Sequence, residues 1–243
     1  MITGERAEAS KREAEVPGPR FWASVWAIFW KDLVTERHTK QTLSVTLVFA
    51  LAAVVVFNFA LFGDLAAARN VATGFLWITI LLAGTLGLNR AMISEQENHS
   101  LEAVLMAPVD RSAIYLGKVA SVLTFTVLME AVLVPIFIVF FNKPFWRPQV
   151  WFMLILGTFG YVAAGVLVSS MSVQTRSRDV LLPVLLLPLS LPAVLAAAQV
   201  TAAFMAPVLP EWSEVQFAVA LVVAYDILMV TAGFLTYHYV VED

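Results

Sequence analysis

The stretch VASVLTFTVLMEAVLVPIFIVFF, residues 119–141, decides the fold of this chain. Its 23 residues carry one charged side chain, that of Glu130. About 20 mostly apolar helical residues are needed to cross a hydrocarbon layer about 30 Å thick. A spanning segment must also hydrogen-bond its own backbone, because no water is present to do so. The stretch therefore predicts a membrane-spanning α-helix.

The rest of the chain repeats this pattern. Hydrophobic residues make up 60% and charged residues 14% of its 243 positions, and the mean hydropathy is +0.82. One soluble core of this size could not bury so much apolar surface. We predict an all-α membrane protein with transmembrane helices at 42–62, 71–88, 119–141, 151–173, 180–206 and 217–237. The fifth helix contains three prolines, Pro183, Pro188 and Pro192, and is predicted to be kinked or broken.

The distribution of basic residues predicts which side each loop faces, because loops rich in Lys and Arg stay in the cytoplasm. With both termini inside, 12 of the 15 Lys and Arg residues lie in the N-terminal segment, the second loop or the fourth loop. The three that lie outside are Arg69, Lys143 and Arg147. The loop 89–118 is therefore predicted to be cytoplasmic.

Charge, cysteine content and motifs exclude several functions. Net charge is −3, and no basic block lies beyond the N-terminal region, so no nucleic-acid partner is predicted. The chain has no cysteine, which excludes disulfides, thiolate metal sites and C-x-x-C-H haem attachment. No H-E-x-x-H, G-x-S-x-G or G-x-x-x-x-G-K-S/T motif is present. We therefore predict no catalytic residues, and ATP hydrolysis would need a separate ATPase subunit.

Two segments precede the six-helix domain, which is predicted to cover 41–243. Residues 1–20 are polar and charged and predict a disordered tail without the apolar core of a signal peptide. In 21–40, Trp22 and Trp26 begin an aromatic face at helical spacing. We predict an interfacial amphipathic helix along the cytoplasmic leaflet, and a helix packed against the bundle is the alternative.

The largest charged island is EQENHSLEAVLMAPVDRSAIYLGK, residues 95–118. Ser94 and Glu97 have the spacing of a capping box, and Pro108 would stop a helix just before it. Glu95 and Glu102 lie on one face of that predicted helix, about 10 Å apart along its axis, which is too far for one metal ion. We predict no metal site, and we interpret the helix as a surface that another protein contacts.

Three stretches carry a resemblance to a known family. They are WKDLVTER at 30–37, LNRAMISEQENHSLEAVLMAPVDRSAIYLGKV at 88–119 and TRSRDVLLPVLLLPLSLPAVLAA at 175–197. Together they resemble the cytochrome c maturation permease family CcmB, also called haem exporter protein B, over 22–243. The family pattern of an acidic loop, S-L-E, a proline and a lysine is carried here by Glu97, Ser100, Leu101, Glu102, Pro108 and Lys118. Many members have Asp-Gly where this chain has Asn98-His99.

The resemblance implies an ABC-2-like permease in the bacterial cytoplasmic membrane. The loop between spans two and three would be the coupling helix, contacting an ATPase through Glu97, Ser100, Leu101, Glu102, Leu105 and Pro108. The residues of the interfacial helix would be Trp22, Trp26, Lys31, Asp32 and Arg37. The permease itself would be present as two copies or as a heterodimer, surrounded by membrane lipid.

The resemblance also implies the other components of the complex. They are a CcmA-like ABC ATPase that binds ATP, a CcmC-like haem-handling membrane protein, a CcmD-like small membrane protein and a CcmE-like haem chaperone. Haem would be a substrate of this complex rather than a cofactor of the chain. The family leaves open whether this permease conducts haem or transmits ATP energy to release the loaded chaperone.

Candidate haem contacts are few. An axial ligand would come from His, Met or Tyr, and His38, His99 and His238 are all predicted near the cytoplasmic side. Lys143 and Arg147, in an outside loop with aromatic residues, could meet a propionate. They could equally be snorkelling cations in an aromatic belt.

Two acidic residues lie inside predicted spans. Glu130 is near the middle of the third span and Asp226 near the middle of the sixth. A charge at mid-membrane costs about 2.5 to 3.5 kcal/mol on insertion scales, so each should face the bundle interior or a water-filled cavity. A proton or substrate path and interhelical hydrogen bonding are both consistent with this pattern.

Three classes of function follow. The first is an ABC permease for cytochrome c maturation, which the coupling-loop pattern favours. The second is a general ABC-2 exporter for a drug, lipid or glycan, which would not need haem-handling partners. The third is a proton-coupled secondary carrier that uses Glu130 and Asp226, although the inverted repeats typical of such carriers are not evident.

Overall fold

A computed structural model describes residues 21–61, 63–97, 109–172 and 178–242, which form helices and no strand. In chain order the helices are α1 (Phe21–Thr39), α2 (Gln41–Ala60), α3 (Leu65–Glu97), α4 (Arg111–Phe141), α5 (Pro148–Ser172), α6 (Arg178–Phe204) and α7 (Trp212–Glu242). Helices α2 to α7 are each long and apolar enough to cross a membrane. The predicted all-α fold with six spans is confirmed, and the chain is a multi-pass membrane protein.

The helices extend beyond the apolar runs that predicted them. α3 begins at Leu65 and α4 at Arg111, so Lys118 lies inside α4 instead of opening it. Hydropathy marks only the part of a helix that lies in hydrocarbon, whereas the backbone hydrogen bonds continue into the polar zone. The start of α4 is fixed by Asp110, whose side chain accepts a hydrogen bond from the Ser112 N–H at 2.8 Å.

Two local predictions are corrected by the structure. Ser94 does not begin a helix, because α3 runs unbroken through it to Glu97. The N–H groups there already have partners in the preceding turn, so a capping box has nothing to cap. α6 is not broken, because its three prolines lie within one continuous helix from Arg178 to Phe204. Prolines are tolerated in membrane helices when neighbouring groups satisfy the backbone.

Helix α5 lies at the centre of the bundle. It packs against α4, α6 and α7 and also contacts α3. Residues 160–166 of α5 are all buried. Helix α2 is peripheral, packing on α3 and α4 and leaving much of its apolar surface exposed. In a membrane protein such a surface faces lipid, so polar groups on α5 are the ones held away from lipid.

Helix α1 packs across α4. Its buried residues are Ser24 and Ile28, and Ile28 lies so close to Gly117 of α4 that a side chain there would overlap it. Trp22 and Trp26 point away from the bundle, with 73% and 61% of their surface exposed. One face of α1 is thus packed on the bundle and another is free to contact lipid. Its placement along the cytoplasmic leaflet stays a prediction.

The turn between α1 and α2 is fixed by backbone geometry and a side-chain cap. Lys40 has a left-handed conformation with φ 52°. The Glu36 carboxylate accepts a hydrogen bond from the Leu43 N–H at 2.7 Å. A carboxylate at this position satisfies a free N–H group and is favoured by the positive end of the helix dipole. Glu36 therefore links α1 to the start of the first span.

Candidate functional site

Glu130 of α4 is completely buried in the bundle, with 0% of its surface exposed. Its Oε1 atom accepts a hydrogen bond of 2.5 Å from the Thr158 hydroxyl of α5. Its Oε2 atom has no hydrogen-bond partner in the part of the chain that the structure describes. A buried polar atom without a partner is costly, so Glu130 retains an unused capacity to accept a hydrogen bond at mid-membrane.

Asp226 of α7 is 5% exposed and lies directly against Gly160 of α5. The carboxylate approaches the Gly160 backbone, but neither oxygen forms a hydrogen bond of ordinary geometry within the described residues. The neighbouring Tyr225 hydroxyl is also buried without a partner there. Only a residue without a side chain at position 160 allows the carboxylate this close to α5.

The two acids approach the same turn of α5 from different sides. Thr158 contacts Glu130 and Gly160 contacts Asp226. Residues two apart on a helix are about 200° apart around its axis and about 3 Å apart along it. Glu130 and Asp226 therefore lie at nearly the same depth with α5 between them. Their role as a proton or substrate path stays a prediction.

The same turn of α5 carries a tyrosine that ties it to α3. The Tyr161 hydroxyl lies 2.8 Å from the Thr85 hydroxyl and donates to the Leu81 carbonyl at 3.0 Å. Gly84 leaves the space that the tyrosine ring occupies, because a Cβ there would lie 2.8 Å from a ring carbon. α5 is thus held to α3, α4 and α7 by polar contacts within residues 158–161.

A second polar cluster lies at the end of the bundle where α4 begins. The Tyr115 hydroxyl lies 3.0 Å from the Ala163 carbonyl of α5 and 3.3 Å from the Met229 carbonyl of α7. Its ring fills a notch left by Gly233 of α7, where an added Cβ would overlap the tyrosine. The Tyr237 ring packs on it at 5.5 Å. Tyr115 therefore joins α4, α5 and α7 close to the point where α4 begins.

Arg147, in the loop between α4 and α5, has a role that neither sequence alternative included. Its Nη1 atom donates to the Phe204 and Ala206 carbonyls, both at 2.7 Å. These carbonyls lie at the C-terminal end of α6, where backbone acceptors are left without helical partners. Arg147 therefore caps α6, and its guanidinium is engaged by backbone. Lys143 in the same loop is half-buried.

The other predicted site residues are placed as follows. Lys31 and Asp32 form an ion pair of 3.0 Å on α1, and Arg37 is exposed near its end. Glu97 is the last residue of α3. Four predicted contact residues for an ATPase, Ser100, Leu101, Glu102 and Leu105, lie outside the described residues, as does Pro108.

Two pockets inside the bundle are too small for a large ligand. One, between α2, α3 and α4, has a volume of about 20 Å³ and is lined by Thr46, Gly87 and Thr126 among others. A void of this size has room for a water molecule. The second, beside Tyr161, has no room for one. Neither could admit a porphyrin without movement of the helices.

The sequence comparison identifies the family. Residues 23–236, which run from α1 into α7, match the model of the family described as CcmB protein. The chain belongs to the CcmB family. The resemblance seen in the sequence is thereby confirmed, and the match covers helices on both sides of the charged loop.

Two relatives show how similar the chain is to named CcmB proteins. "Heme exporter protein B" of Rhodobacter capsulatus is 30% identical over 132 residues, which cover 54% of this chain and 60% of the relative. "Heme exporter protein B" of Pseudomonas aeruginosa is 26% identical over 150 residues, covering 61% of this chain and 67% of the relative. The matches therefore span about three fifths to two thirds of the relatives' length.

Several residues of this site were not predicted from the sequence. Thr158, Gly160 and Tyr161 lie in an apolar run where a threonine, a glycine and a tyrosine are ordinary residues. The signal that could have found them is the need of Glu130 and Asp226 for neighbours that are polar or small. Tyr115 carried no comparable signal, because its partners are backbone carbonyls.

Proposed function

We propose that this chain is the membrane permease of an ATP-driven complex that serves haem export in cytochrome c assembly. The match of residues 23–236 to the CcmB family carries the proposal. Two relatives bear the name heme exporter protein B, and the six spans suit a permease. The chain would lie in the bacterial cytoplasmic membrane with both termini in the cytoplasm, as its basic residues indicate.

ATP would be hydrolysed by a partner protein, since the sequence has no phosphate-binding loop of its own. A CcmA-like ATPase would contact the loop 89–118, and CcmC-like, CcmD-like and CcmE-like proteins would complete the complex. The length of α3 supports this role for the loop. Its apolar span ends at Ala91, yet the helix continues through residues 92–97. The loop would therefore begin from a rigid extension of a membrane helix.

The start of α4 would transmit movement of this loop into the bundle. Ser112 follows the loop directly, and its hydroxyl donates to the Phe234 carbonyl of α7 at 3.1 Å. Tyr115, one turn later, contacts backbone carbonyls of α5 and α7. A displacement at Asp110 would thus reach α7 and the central helix through groups that are already in contact. Glu130 and Asp226 lie further along the same helices.

Energy transmission is better supported than haem conduction through a single permease chain. The pocket between α2, α3 and α4 has room for about one water molecule, and the pocket beside Tyr161 has none. A porphyrin would need either a different arrangement of these helices or a route along an outer surface. We therefore propose that the chain acts chiefly as the lever that couples ATP hydrolysis to the complex.

Reversing two charges in the loop should uncouple the ATPase. In Glu97→Lys/Glu102→Lys we expect at least a tenfold loss of ATPase recovered with the affinity-purified permease, because both carboxylates are predicted to lie on the contacted surface. Thermal unfolding of the purified bundle should stay unchanged. The matched control is Glu211→Lys/Glu214→Lys, two exposed acids around the start of α7 on the opposite side. Undiminished ATPase recovery with the loop variant would refute the proposed contact.

A further inference from the structure

A large open groove lies between α1 and α4. It has a volume of about 450 Å³ and is bounded by aromatic residues of α1 and small or apolar residues of α4. Its lining consists of Trp22, Val25, Trp26, Phe29, Ala120, Leu123 and Thr124. The contact of Ile28 with Gly117 holds the two helices together beside it. The groove is thus a product of how α1 crosses the bundle, and the function proposed above does not use it.

The lining suits an apolar chain. Its hydroxyl group, on Thr124, donates within α4 to the Ala120 carbonyl at 2.8 Å, so that hydrogen is not offered to the groove. The remaining lining side chains present carbon atoms, except for the indole N–H groups of Trp22 and Trp26. Neither N–H has an acceptor among the described residues. The groove is therefore apolar along its length, with hydrogen-bond donors on one wall.

The groove also opens onto a surface that lipid must cover. Beyond Thr124, the same side of α4 exposes Leu128, Val132 and Val139. A ligand in the groove would continue along this apolar strip toward the other side of the membrane. Tryptophan side chains are enriched at the headgroup level of membranes, because the ring is apolar and its N–H is polar. The two tryptophans would therefore mark where the apolar part of the ligand ends.

We propose that this groove binds an acyl chain of one phospholipid, with its phosphate or ester oxygens at the Trp22 and Trp26 indoles. The exposed basic residues Arg37 and Lys40 further along α1 favour a lipid with an anionic headgroup. A protein helix fits the groove less well. A helix with its side chains is about 10 Å wide, whereas this lining comes from about two turns of each wall.

Lipid retention by the purified full chain tests the proposal. Dioleoyl phosphatidylglycerol is titrated into delipidated protein, and bound lipid is counted by native mass spectrometry. We expect one tightly bound lipid per chain. Ala120→Phe, which fills the groove, should weaken that binding at least fivefold. Val132→Phe, on the same side of α4 but outside the groove, should leave it unchanged. The absence of cysteine would also allow a label at Ala120→Cys to report groove occupancy without background.

A variant that removes only the donors guards against misfolding of the filled groove. Trp22→Phe/Trp26→Phe keeps aromatic walls but removes both N–H groups, and it should weaken lipid binding about threefold or more while the melting temperature stays within about 2 °C. Equal lipid binding in wild type and Ala120→Phe would overturn the proposal. So would a small membrane protein that co-purifies with wild type in equimolar amount and is displaced by Ala120→Phe.

Discussion

Replacing Gly160 with alanine is expected to destabilise the bundle by about 1 to 3 kcal/mol, although alanine is the better helix former. An added Cβ would overlap the Asp226 carboxylate and lie 2.9 Å from a ring carbon of Tyr225. α5 and α7 would have to separate, and this contact lies at the centre of the structure. Thermal unfolding in detergent measures the effect as a lower melting temperature.

Two comparisons isolate the cause. Gly74→Ala changes a helical glycine of α3 with nothing within 4 Å of the new atom, so it should be neutral or stabilise by up to about 1 kcal/mol. In Gly160→Ala/Asp226→Ala the overlapping group is gone, so part of the loss should be recovered, with a coupling energy of about 1 to 3 kcal/mol. Additive effects of the two substitutions would mean that Gly160 is not needed for Asp226.

The largest expected loss is for Tyr115→Ala, about 3 to 5 kcal/mol, as is typical for truncating a buried aromatic residue. The side chain is completely buried, and its ring fills the notch at Gly233. The alanine would leave a cavity between α4, α5 and α7. Tyr115→Phe keeps the ring and loses only the hydroxyl contacts, so about 0.5 to 1.5 kcal/mol should be lost. Unfolding in detergent compares the two.

A matched control is available on α7. The Tyr225 hydroxyl is buried without a hydrogen-bond partner within the described residues, so Tyr225→Phe should not destabilise the protein. Tyr115→Phe also tests the proposed transmission, because it should lower c-type cytochrome assembly more than its small loss of stability accounts for. If Tyr115→Ala unfolds no more easily than Tyr225→Phe, the notch at Gly233 does not hold these helices together.

The sequence predicts the spans of this protein far better than their packing. A run such as 119–141 leaves no alternative to a membrane helix, because its backbone must be satisfied without water. Packing has no such signal, since lipid tails and neighbouring helices are equally apolar. Val54 is 0% exposed and Val56, two residues later, is 62% exposed, yet nothing in the two side chains distinguishes them.

The polar residues show the same division. Glu130 and Asp226 could be singled out because a carboxyl group in lipid is costly. Their neighbours Thr158 and Gly160 could not, because those residues become special only when α4 and α7 are packed on α5. Arg147 was assigned to a membrane boundary, whereas its contacts with the end of α6 depend on the fold of a distant segment.

Formation of c-type cytochromes tests the central claim most directly. In a strain that lacks this gene, haem staining of membrane proteins after denaturing electrophoresis should show no mature c-type cytochrome. The wild-type gene should restore the bands, and Glu97→Lys/Glu102→Lys should restore less than about a tenth of them despite normal amounts of the chain in the membrane. Normal c-type cytochromes in the deletion strain would contradict the proposed function.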